Sequence, residues 1–204
     1  ILVEGLSKLE YRGYDSAGIA VFENEEIKVA KSKGRLADLT AKMEKEGMLH
    51  GTSGIGHTRW ATHGEPSDRN SHPHGGERVT IVHNGIIENY KSIKDFLLGV
   101  GRGFKSDTDT EVIAQLLDYY YDGDPFHTIS KVIREIEGSY ALGIVFEDFP
   151  DTVFAIRRES PLIVGIGENE SFIASDVPAI LKYTKNYHLL EHDEIAVLSK
   201  YSTK

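Results

Sequence analysis

Residues 57–66 read HTRWATHGEP, a composition that a hydrophobic core would not select. A cation, the only tryptophan of the chain, threonine and two histidines lie within seven residues and lead into Gly-Glu-Pro. The residues just before them, 53–57, are predicted to form a short strand, and residues 59–77 a long loop. Polar side chains that collect where a strand runs into a long loop are typical of a binding site on a rigid scaffold.

Hydrophobic spacing outside this segment predicts helices grouped in the middle of the chain and strands toward both ends. The predicted helices cover residues 2–9, 35–46, 86–98, 109–121 and 126–136, with a helical turn at 178–182. The predicted strands cover residues 19–22, 27–31, 53–57, 79–83, 139–146, 152–157, 162–166, 171–175, 187–190 and 194–198. Because short loops separate the later strands, antiparallel pairing is favoured. We therefore expect an α+β layered fold rather than alternating βαβ units.

Composition limits the classes of function. The chain has 204 residues, 40% of them hydrophobic, which is enough for one sizeable core and a single domain. A net charge of -9 argues against a nucleic-acid partner, since a phosphate-binding groove needs concentrated Lys and Arg. No apolar run is long enough to span a membrane and no signal peptide is recognisable, so we expect no membrane partner and a cytoplasmic location. The absence of cysteine excludes disulfides, zinc–thiolate sites and a cysteine nucleophile within these residues.

Three features near the central segment could bind a small polar ligand. Arg59 beside Trp60 suits bidentate capture of a carboxylate or phosphate, although a surface ion pair with an acidic residue is an equal alternative. Asn84-Gly85 is a common hairpin-turn signal, but a helix is predicted directly after it; an amide beside a glycine N–H can instead form an oxyanion hole. Asp109 begins a helix, where a carboxylate complements the helix dipole or, with a cationic ligand group nearby, binds an α-ammonium.

Other groups give weaker signals. Five of the nine histidines lie between residues 57 and 83, and the His-x-His at 72–74 could bind a metal. However, no carboxylate stands at a telling spacing, and Pro73 and Gly75 indicate an exposed loop, so we predict ordinary hydrogen bonding, no metal and no cofactor. Before the helix at residue 109, Thr108 is the predicted N-cap and Glu111 its capping-box partner. No residue has the surroundings of an activated nucleophile.

Several linked motifs together point to one family. In chain order they are EYRGYDSAG at 10–18, HTRWATHGEP at 57–66, SHPH at 71–74, HNGIIEN at 83–89 and TDTE at 108–111. This combination resembles the glutaminase domain of the glucosamine-6-phosphate synthases, which are class II glutamine amidotransferases. The sequences SPL at 160–162 and FIASD at 172–176 extend the resemblance almost to the C-terminus. The resemblance implies an N-terminal-nucleophile hydrolase fold, a four-layer sandwich with two antiparallel sheets between helical layers.

The resemblance also implies a reaction and a substrate pocket. L-Glutamine is hydrolysed to glutamate and ammonia, and the ammonia passes to a sugar-isomerase domain that aminates fructose 6-phosphate. Arg59 is expected to hold the α-carboxylate of glutamine and Asp109 its α-ammonium. Thr62 and His63 are expected to complete the amino-acid pocket.

The catalytic groups implied by the resemblance are only partly within this chain. Asn84 and the Gly85 N–H are expected to stabilise the tetrahedral oxyanion, and Trp60, in a mobile loop, to gate ammonia transfer. The family's nucleophile is an N-terminal cysteine whose own α-amine is the general base. Because residues 1–204 contain no cysteine, we expect a glutaminase domain that lacks its nucleophile segment and is inert by itself. The sugar-isomerase half, also absent, is expected to carry a homo-oligomer contact.

Two alternatives stay open at this point. The chain could be the glutaminase domain of another class II amidotransferase with a different acceptor, such as a phosphoribosyl donor. It could also be a non-catalytic glutamine-binding or regulatory module that kept the pocket without a nucleophile.

Overall fold

The computed structural model describes residues 1–199. Its helices are α1 (Leu2–Ser7), α2 (Leu36–Glu46), α3 (Tyr90–Gly99), α4 (Asp109–Tyr120) and α5 (Pro125–Val132). Its strands are β1 (Ser16–Glu23), β2 (Glu26–Lys33), β3 (Gly54–Arg59), β4 (His74–Gly75), β5 (Val79–Ile87), β6 (Gly138–Phe146), β7 (Val153–Arg158), β8 (Ile163–Ile166), β9 (Ser171–Ala174), β10 (Tyr187–Leu189) and β11 (Ile195–Leu198). Short 3₁₀ turns lie at Glu10–Arg12 and Val177–Ala179. None of the helices in residues 1–199 has both the length and the apolar character needed to cross a membrane.

The strands form three hydrogen-bonded groups within the described residues. Within each group every pair of neighbouring strands is antiparallel, as predicted. Five strands pair in the order β11-β7-β6-β5-β4, and two groups of three pair as β2-β1-β3 and β10-β8-β9. Strands β3 and β9 each end their group, so each has a strand partner on one side only within residues 1–199.

Packing between these groups fixes the order of the layers. One face of the five-stranded sheet packs on α3, α4 and α5, where Leu116 and Phe146 are fully buried. The opposite face packs on the two three-stranded groups, for example through Val82 against Ile55. Helices α1 and α2 then cover β1, with Leu39 fully buried. Burial of each such side chain stabilises the fold by about 1.5–3 kcal/mol. The result is the predicted sandwich, helices–strands–strands–helices, with the second strand layer in two hydrogen-bonded parts.

The junction between β5 and α3 differs from the prediction of a helix over residues 86–98. Strand β5 continues through Asn84 and Gly85 to Ile87, and α3 begins only at Tyr90. The side chain of Ile87 is fully buried, and its N–H donates a 2.9 Å hydrogen bond to the carboxylate of Asp109. Because a buried N–H needs a partner, pairing with residues 138–141 outweighs the helical spacing of the local sequence.

Other boundaries shift by a few residues. Strand β3 runs through Arg59, and the short strand β4 pairs with β5, so the predicted loop over residues 59–77 is confined to residues 60–73. Helix α5 ends at Val132 rather than near residue 136.

Alternation along β5 decides which layer each of its side chains faces. Ile81 packs in the core formed with α4, and His83 contacts Thr110 of the same helix. Val82 and Asn84 face the other way, toward β3. His83 and Asn84, two adjacent polar residues within one strand, therefore reach two different layers.

Candidate active site

A cavity of about 460 Å³ opens where β3, β5 and the beginning of α4 meet. Its volume lies within the range of about 300–1,000 Å³ that is usual for small-molecule sites. Most of the residues predicted for the site line this cavity, namely Arg59, Trp60, Thr62, Asn84, Gly85 and Asp109. They come from three separate parts of the chain, so only the folded arrangement of the layers brings them together.

Arg59 supplies the cation of the cavity. It is the last residue of β3 and is buried. Its Nη2 donates to the backbone carbonyls of His63 and Gly64, the latter at 3.0 Å. Its Nη1 is buried and has no hydrogen-bond partner within residues 1–199. Burial lowers the pKa of Arg59, and the carboxylates of Asp15 and Asp109 act in the opposite direction. One edge of the guanidinium therefore anchors the loop, and the other is left for a ligand.

Asp109 supplies an anion at the first position of α4. The residue is buried, and one carboxylate oxygen accepts the N–H of Ile87. Its other oxygen lies 3.9 Å from Nδ1 of His63. The helix N-terminus stabilises this charge, because the first-turn N–H groups carry partial positive charge.

The cap of α4 agrees with the prediction only in part. The Thr108 hydroxyl accepts a hydrogen bond from the N–H of Glu111, as expected of an N-cap. The Glu111 carboxylate, however, does not complete a capping box. It accepts from the N–H groups of Lys105 and Ser106, and thereby fixes the loop that leads into the helix.

Asn84 and Gly85 lie inside β5, not at the predicted strand-to-helix junction and not in a hairpin turn. The Asn84 Oδ1 is 3.3 Å from Nε2 of His57 on β3. Gly85 has a φ of +138°, and a Cβ there would lie 2.1 Å from the carbonyl oxygen of Ser139. Only glycine fits this position, because side chains disfavour that φ and the neighbouring strand approaches so closely.

The remaining predicted residues lie at the rim or behind the wall. Trp60 is 58% exposed and packs edge-on against Tyr14, with ring centroids 5.4 Å apart. Thr62 is exposed at the mouth of the cavity. The ring of His63 lies behind Asp109 and packs edge-on against Tyr90.

The prediction that residues 72–74 form an exposed loop is wrong. His72 and His74 are both buried, and with His57 and His83 they form a compact group beside the cavity. The predicted hydrogen bonding of these histidines is present, but with buried partners. No group of three or more His, Cys, Asp or Glu side chains within residues 1–199 is arranged to hold a metal ion.

Two further contacts at the cavity escaped sequence reasoning. Arg12 donates to the hydroxyl of Ser175, and both residues line the cavity. Thr110, one residue after Asp109, contacts the ring of His83 at 3.0 Å. The position of Thr110 in the first turn of a helix was a usable signal, whereas the pair Arg12–Ser175 is separated by 163 residues and had none.

Solved structures of similar shape identify the fold. The chain superposes with a TM-score of 0.85 on glutamine phosphoribosylpyrophosphate amidotransferase from B. subtilis, covering 99% of this chain and 45% of that one at 24% identity. A structure of the allosteric regulatory enzyme of purine biosynthesis gives a TM-score of 0.87, covering 100% and 45% at the same identity. At this identity the likeness shows the fold alone, which is the predicted amidotransferase type of N-terminal-nucleophile hydrolase fold.

The sequence itself defines the family more closely. The profile described as "Glutamine amidotransferase domain" matches residues 57–182. This chain belongs to the glutamine amidotransferase domain family, as its motifs predicted.

Its relatives carry one enzyme name. The chain is 58% identical to the glutamine–fructose-6-phosphate aminotransferase [isomerizing] of Caldanaerobacter subterraneus subsp. tengcongensis and 55% identical to that of Clostridium tetani. Each match covers 100% of this chain and 34% of the relative. The chain thus spans about a third of the length of these relatives.

Proposed function

We propose that residues 1–204 form the glutaminase domain of an aminosugar-forming amidotransferase that hydrolyses L-glutamine to glutamate and ammonia. The observation that carries this proposal is one cavity lined by a guanidinium with an unpartnered edge, a buried carboxylate and a side-chain amide. A free amino acid with a side-chain amide carries a carboxylate, an ammonium and an amide, which complement these three groups. Membership of the glutamine amidotransferase domain family supports the same substrate.

The α-carboxylate and α-ammonium of glutamine define how it would lie in the cavity. The free Nη1 edge of Arg59 receives the carboxylate, and charge-assisted hydrogen bonds of this kind are among the strongest in proteins. Asp109 receives the ammonium, with His63 behind it and Thr62 at the mouth. This assignment also explains why a buried arginine keeps an unpaired N–H, which otherwise costs about 1–3 kcal/mol.

The side-chain amide of glutamine then reaches Asn84 and Gly85. Asn84 Oδ1 is held by His57, so Nδ2 is the atom left to donate to an oxygen of the substrate. The Gly85 N–H is the second donor of the pair. Donors fixed before the reaction stabilise a developing oxyanion without reorganisation, and removing one such donor costs about 10²–10³ in kcat.

We assign the nucleophile to a cysteine that precedes Ile1 in the full-length protein. Its thiol attacks the amide carbon of glutamine, ammonia leaves, and water hydrolyses the resulting thioester to glutamate; its α-amine moves the protons. The free side of β3 offers a place for a preceding strand to pair, since β3 has only β1 beside it within residues 1–199. The cavity is bordered there by residues 56–59 and by Ser175, just after β9. A strand placed there would bring its first residue to the cavity.

We further propose that the ammonia is transferred to an isomerase domain that converts fructose 6-phosphate to glucosamine 6-phosphate. Trp60, at the mouth of the cavity, would be the gate for this transfer. The enzyme name shared by the relatives and their threefold greater length support this acceptor. A homo-oligomer formed through that domain and a cytoplasmic location belong to the same proposal.

The test is glutamate release from L-glutamine by the full-length protein, with glucosamine 6-phosphate measured in the presence of fructose 6-phosphate. We expect both products from the wild type. Arg59→Ala should raise KM for glutamine by at least about 100-fold, because a charged hydrogen-bond pair is lost. The KM of Arg59→Lys should lie between the values of the wild type and Arg59→Ala, because lysine keeps the charge but not the planar guanidinium.

Arg69→Ala is the matched control. Arg69 lies in the loop that follows Arg59, is exposed, and pairs with Asp107 outside the cavity, so its loss should leave KM unchanged. Equal KM values for Arg59→Ala and the wild type would remove the carboxylate assignment. Glutamate release without glucosamine 6-phosphate would keep the glutaminase and reject the proposed acceptor.

A further inference from the structure

Four histidines from three parts of the chain, three of them buried and His57 half-buried, meet beside the cavity. This histidine cluster consists of His57 on β3, His72 and His74 around the start of β4, and His83 on β5. The rings of His57 and His72 stack with centroids 4.3 Å apart and planes 18° apart. His74 meets His72 edge-on at 5.0 Å. Three of these residues, His57, His72 and His83, line the cavity, and only His57 has been connected so far with the proposed reaction, through its contact with Asn84.

Hydrogen bonds assign the proton positions of two of these rings. His72 Nδ1 accepts from the backbone N–H of His83, so the neutral ring of His72 carries its proton on Nε2. That Nε2 lies 3.4 Å from the hydroxyl of Thr110, which it can donate to. The hydroxyl then donates to His83 Nδ1 at 3.0 Å, and His83 Nε2 donates to the Ser139 carbonyl at 3.5 Å. Every step has one donor and one acceptor, which two neutral imidazoles allow.

The surroundings keep the cluster neutral. Burial lowers the pKa of His57 to about 4 and lowers the pKa of His72 and His74 well below the usual value. The pKa of His83 is also lowered by burial, against the opposing effect of the Asp109 carboxylate. A neutral imidazole has one donor and one acceptor nitrogen, so neutral rings can take the donor and acceptor roles described above.

His57 is the member of the cluster that touches Asn84. Its Nε2 lies 3.3 Å from Asn84 Oδ1, and an amide oxygen only accepts, so the Nε2 of His57 carries the proton. Asn84 Nδ2 is thereby directed away from His57. The end of an Asn side chain has a broad, roughly two-fold torsion. Without a donor at Oδ1 the amide could turn over and present an oxygen, which would repel an oxyanion.

We propose that His57 is a positioning residue that fixes the Asn84 side chain with Nδ2 toward the amide oxygen of the substrate. Stacking on His72 holds the ring of His57, and the hydrogen bonds through Thr110 hold His72. This inference rests on the proposed glutaminase function and adds to it the group that prepares the oxyanion donor. It predicts that His57 acts on the transition state through Asn84 and contributes nothing to glutamine affinity.

Steady-state kinetics of glutamine hydrolysis by the full-length protein test the proposal. His57→Phe keeps an aromatic ring to stack on His72 but has no donor, so kcat should fall about 10- to 100-fold, less than loss of the oxyanion donor itself. KM should stay within about threefold of the wild type, because only the transition state loses an interaction. His57→Gln can place an N–H near Asn84 Oδ1 and should restore most of the lost kcat.

A double-mutant cycle separates positioning from a general structural role. His57→Phe combined with Asn84→Ala should have the same kcat as Asn84→Ala alone, because His57 acts only through Asn84. In the double variant of His57→Phe and Asp109→Asn, the fold-changes in kcat/KM of the two single variants should multiply, because the two residues act independently. Multiplying effects with Asn84→Ala, or a rise in KM equal to the loss in kcat, would overturn the proposal.

Two outcomes have separate meanings. A wild-type protein that releases no glutamate contradicts the proposed function itself, whereas an active wild type with an unaffected His57→Phe contradicts only the role of His57. If His57→Phe does not fold, His57→Gln and His57→Asn decide the question. The shorter amide of His57→Asn should not reach Asn84, so equal kcat for these two variants would reject the proposal.

Discussion

The wall of the cavity formed by β5 and α4 differs from the wall formed by β3 and the loop after it. On the first wall Asp109 bonds to the Ile87 N–H, and Thr110 bonds to His83, so these buried polar groups satisfy one another. On the second wall the buried side-chain atoms without a hydrogen-bond partner accumulate. Within residues 1–199 these atoms are Ser16 Oγ, His57 Nδ1, Arg59 Nη1 and His63 Nδ1. Ser16 of β1 lies directly opposite Arg59 of β3 in the strand pairing.

The two walls therefore differ in how many of their buried polar atoms have a hydrogen-bond partner. An unsatisfied buried polar atom costs about 1–3 kcal/mol, so a protein does not usually keep several together unless a partner repays that cost. In the proposed reaction, the β5–α4 wall would be the preorganised part of the site, and Arg59 on the β3 wall would gain a partner when glutamine binds. Changes that break the hydrogen bonds or backbone packing within the first wall should damage structure and catalysis, whereas loss of a group that contacts the ends of the substrate, such as the free Nη1 edge of Arg59, should mainly affect binding.

The largest expected effect on the β5–α4 wall comes from Gly85→Ala. The added methyl group would meet the backbone of Ser139 at 2.1 Å, at a φ of +138° that side chains disfavour. Strand β6 is held between β5 and β7 at this level, so the backbone of Ser139 cannot easily move aside. We expect kcat for glutamine hydrolysis to fall at least about 100-fold, since one oxyanion donor is displaced, together with a lower unfolding temperature.

Gly99→Ala is the matched control for that change. Gly99 ends α3 and a Cβ there meets nothing within 4 Å. Because alanine is favoured over glycine in a helix by about 0.5–1 kcal/mol, this variant should be slightly more stable and fully active. An active Gly85→Ala enzyme would mean that β5 does not form one rigid wall.

The second prediction concerns the pH dependence of stability. The four clustered histidines have lowered pKa values when folded, against about 6.5 when unfolded, so the unfolded chain binds more protons below pH 6.5. Their contribution to stability is complete above pH 6.5 and is lost as the pH falls toward 4. For His57, with a folded pKa of about 4, the loss is on the order of 3 kcal/mol.

Urea unfolding followed by circular dichroism between pH 7.5 and pH 4.5 checks this prediction. The free energy of unfolding should fall steeply below pH 6.5 in the wild type and less steeply in His57→Phe. The control, His188→Gln, changes an exposed histidine of β10 and should leave the slope unaltered. Identical slopes for His57→Phe and the wild type would show that His57 binds protons equally in the folded and the unfolded chain over this pH range.

The same contrast between walls separates what the sequence could predict from what it could not. Arg59, Asn84 and Asp109 were predicted to share one site because their motifs together resemble those of one family, whereas each residue alone also had an ordinary structural explanation; they do line one cavity. The course of β5 could not be read locally, because Asn and Gly are depleted in strands and the residues after them have helical spacing. Its extension to Ile87 depends on pairing with residues 138–141, more than fifty residues away.

Burial of the histidines was equally invisible to local reasoning. Pro73 and Gly75 indicate a turn, and a turn is normally exposed. His74 is nevertheless covered because its ring reaches Thr108 at the start of α4, and His72 because it lies between His57 and Thr110. The two contacts with α4 join residues 34 and 38 positions apart, so burial follows from the packing of α4 on the sheet and not from the turn.

The smallest effect is expected where the two walls share a ligand, at Asp109. Asp109→Asn keeps an oxygen for the Ile87 N–H and removes only the charge, so the wall should stay intact. Stability should fall by about 0.3–1 kcal/mol through the weaker helix-dipole interaction. KM for glutamine should rise about 10- to 100-fold, the change expected when a charged hydrogen bond is lost, with kcat within a few-fold of the wild type.

Asp107→Asn is the matched control. It makes the same change two residues earlier, where the carboxylate is exposed and pairs with Arg69, and it should leave KM unaltered. If both variants keep a normal KM, Asp109 serves only the helix and the β5–α4 wall binds no ammonium.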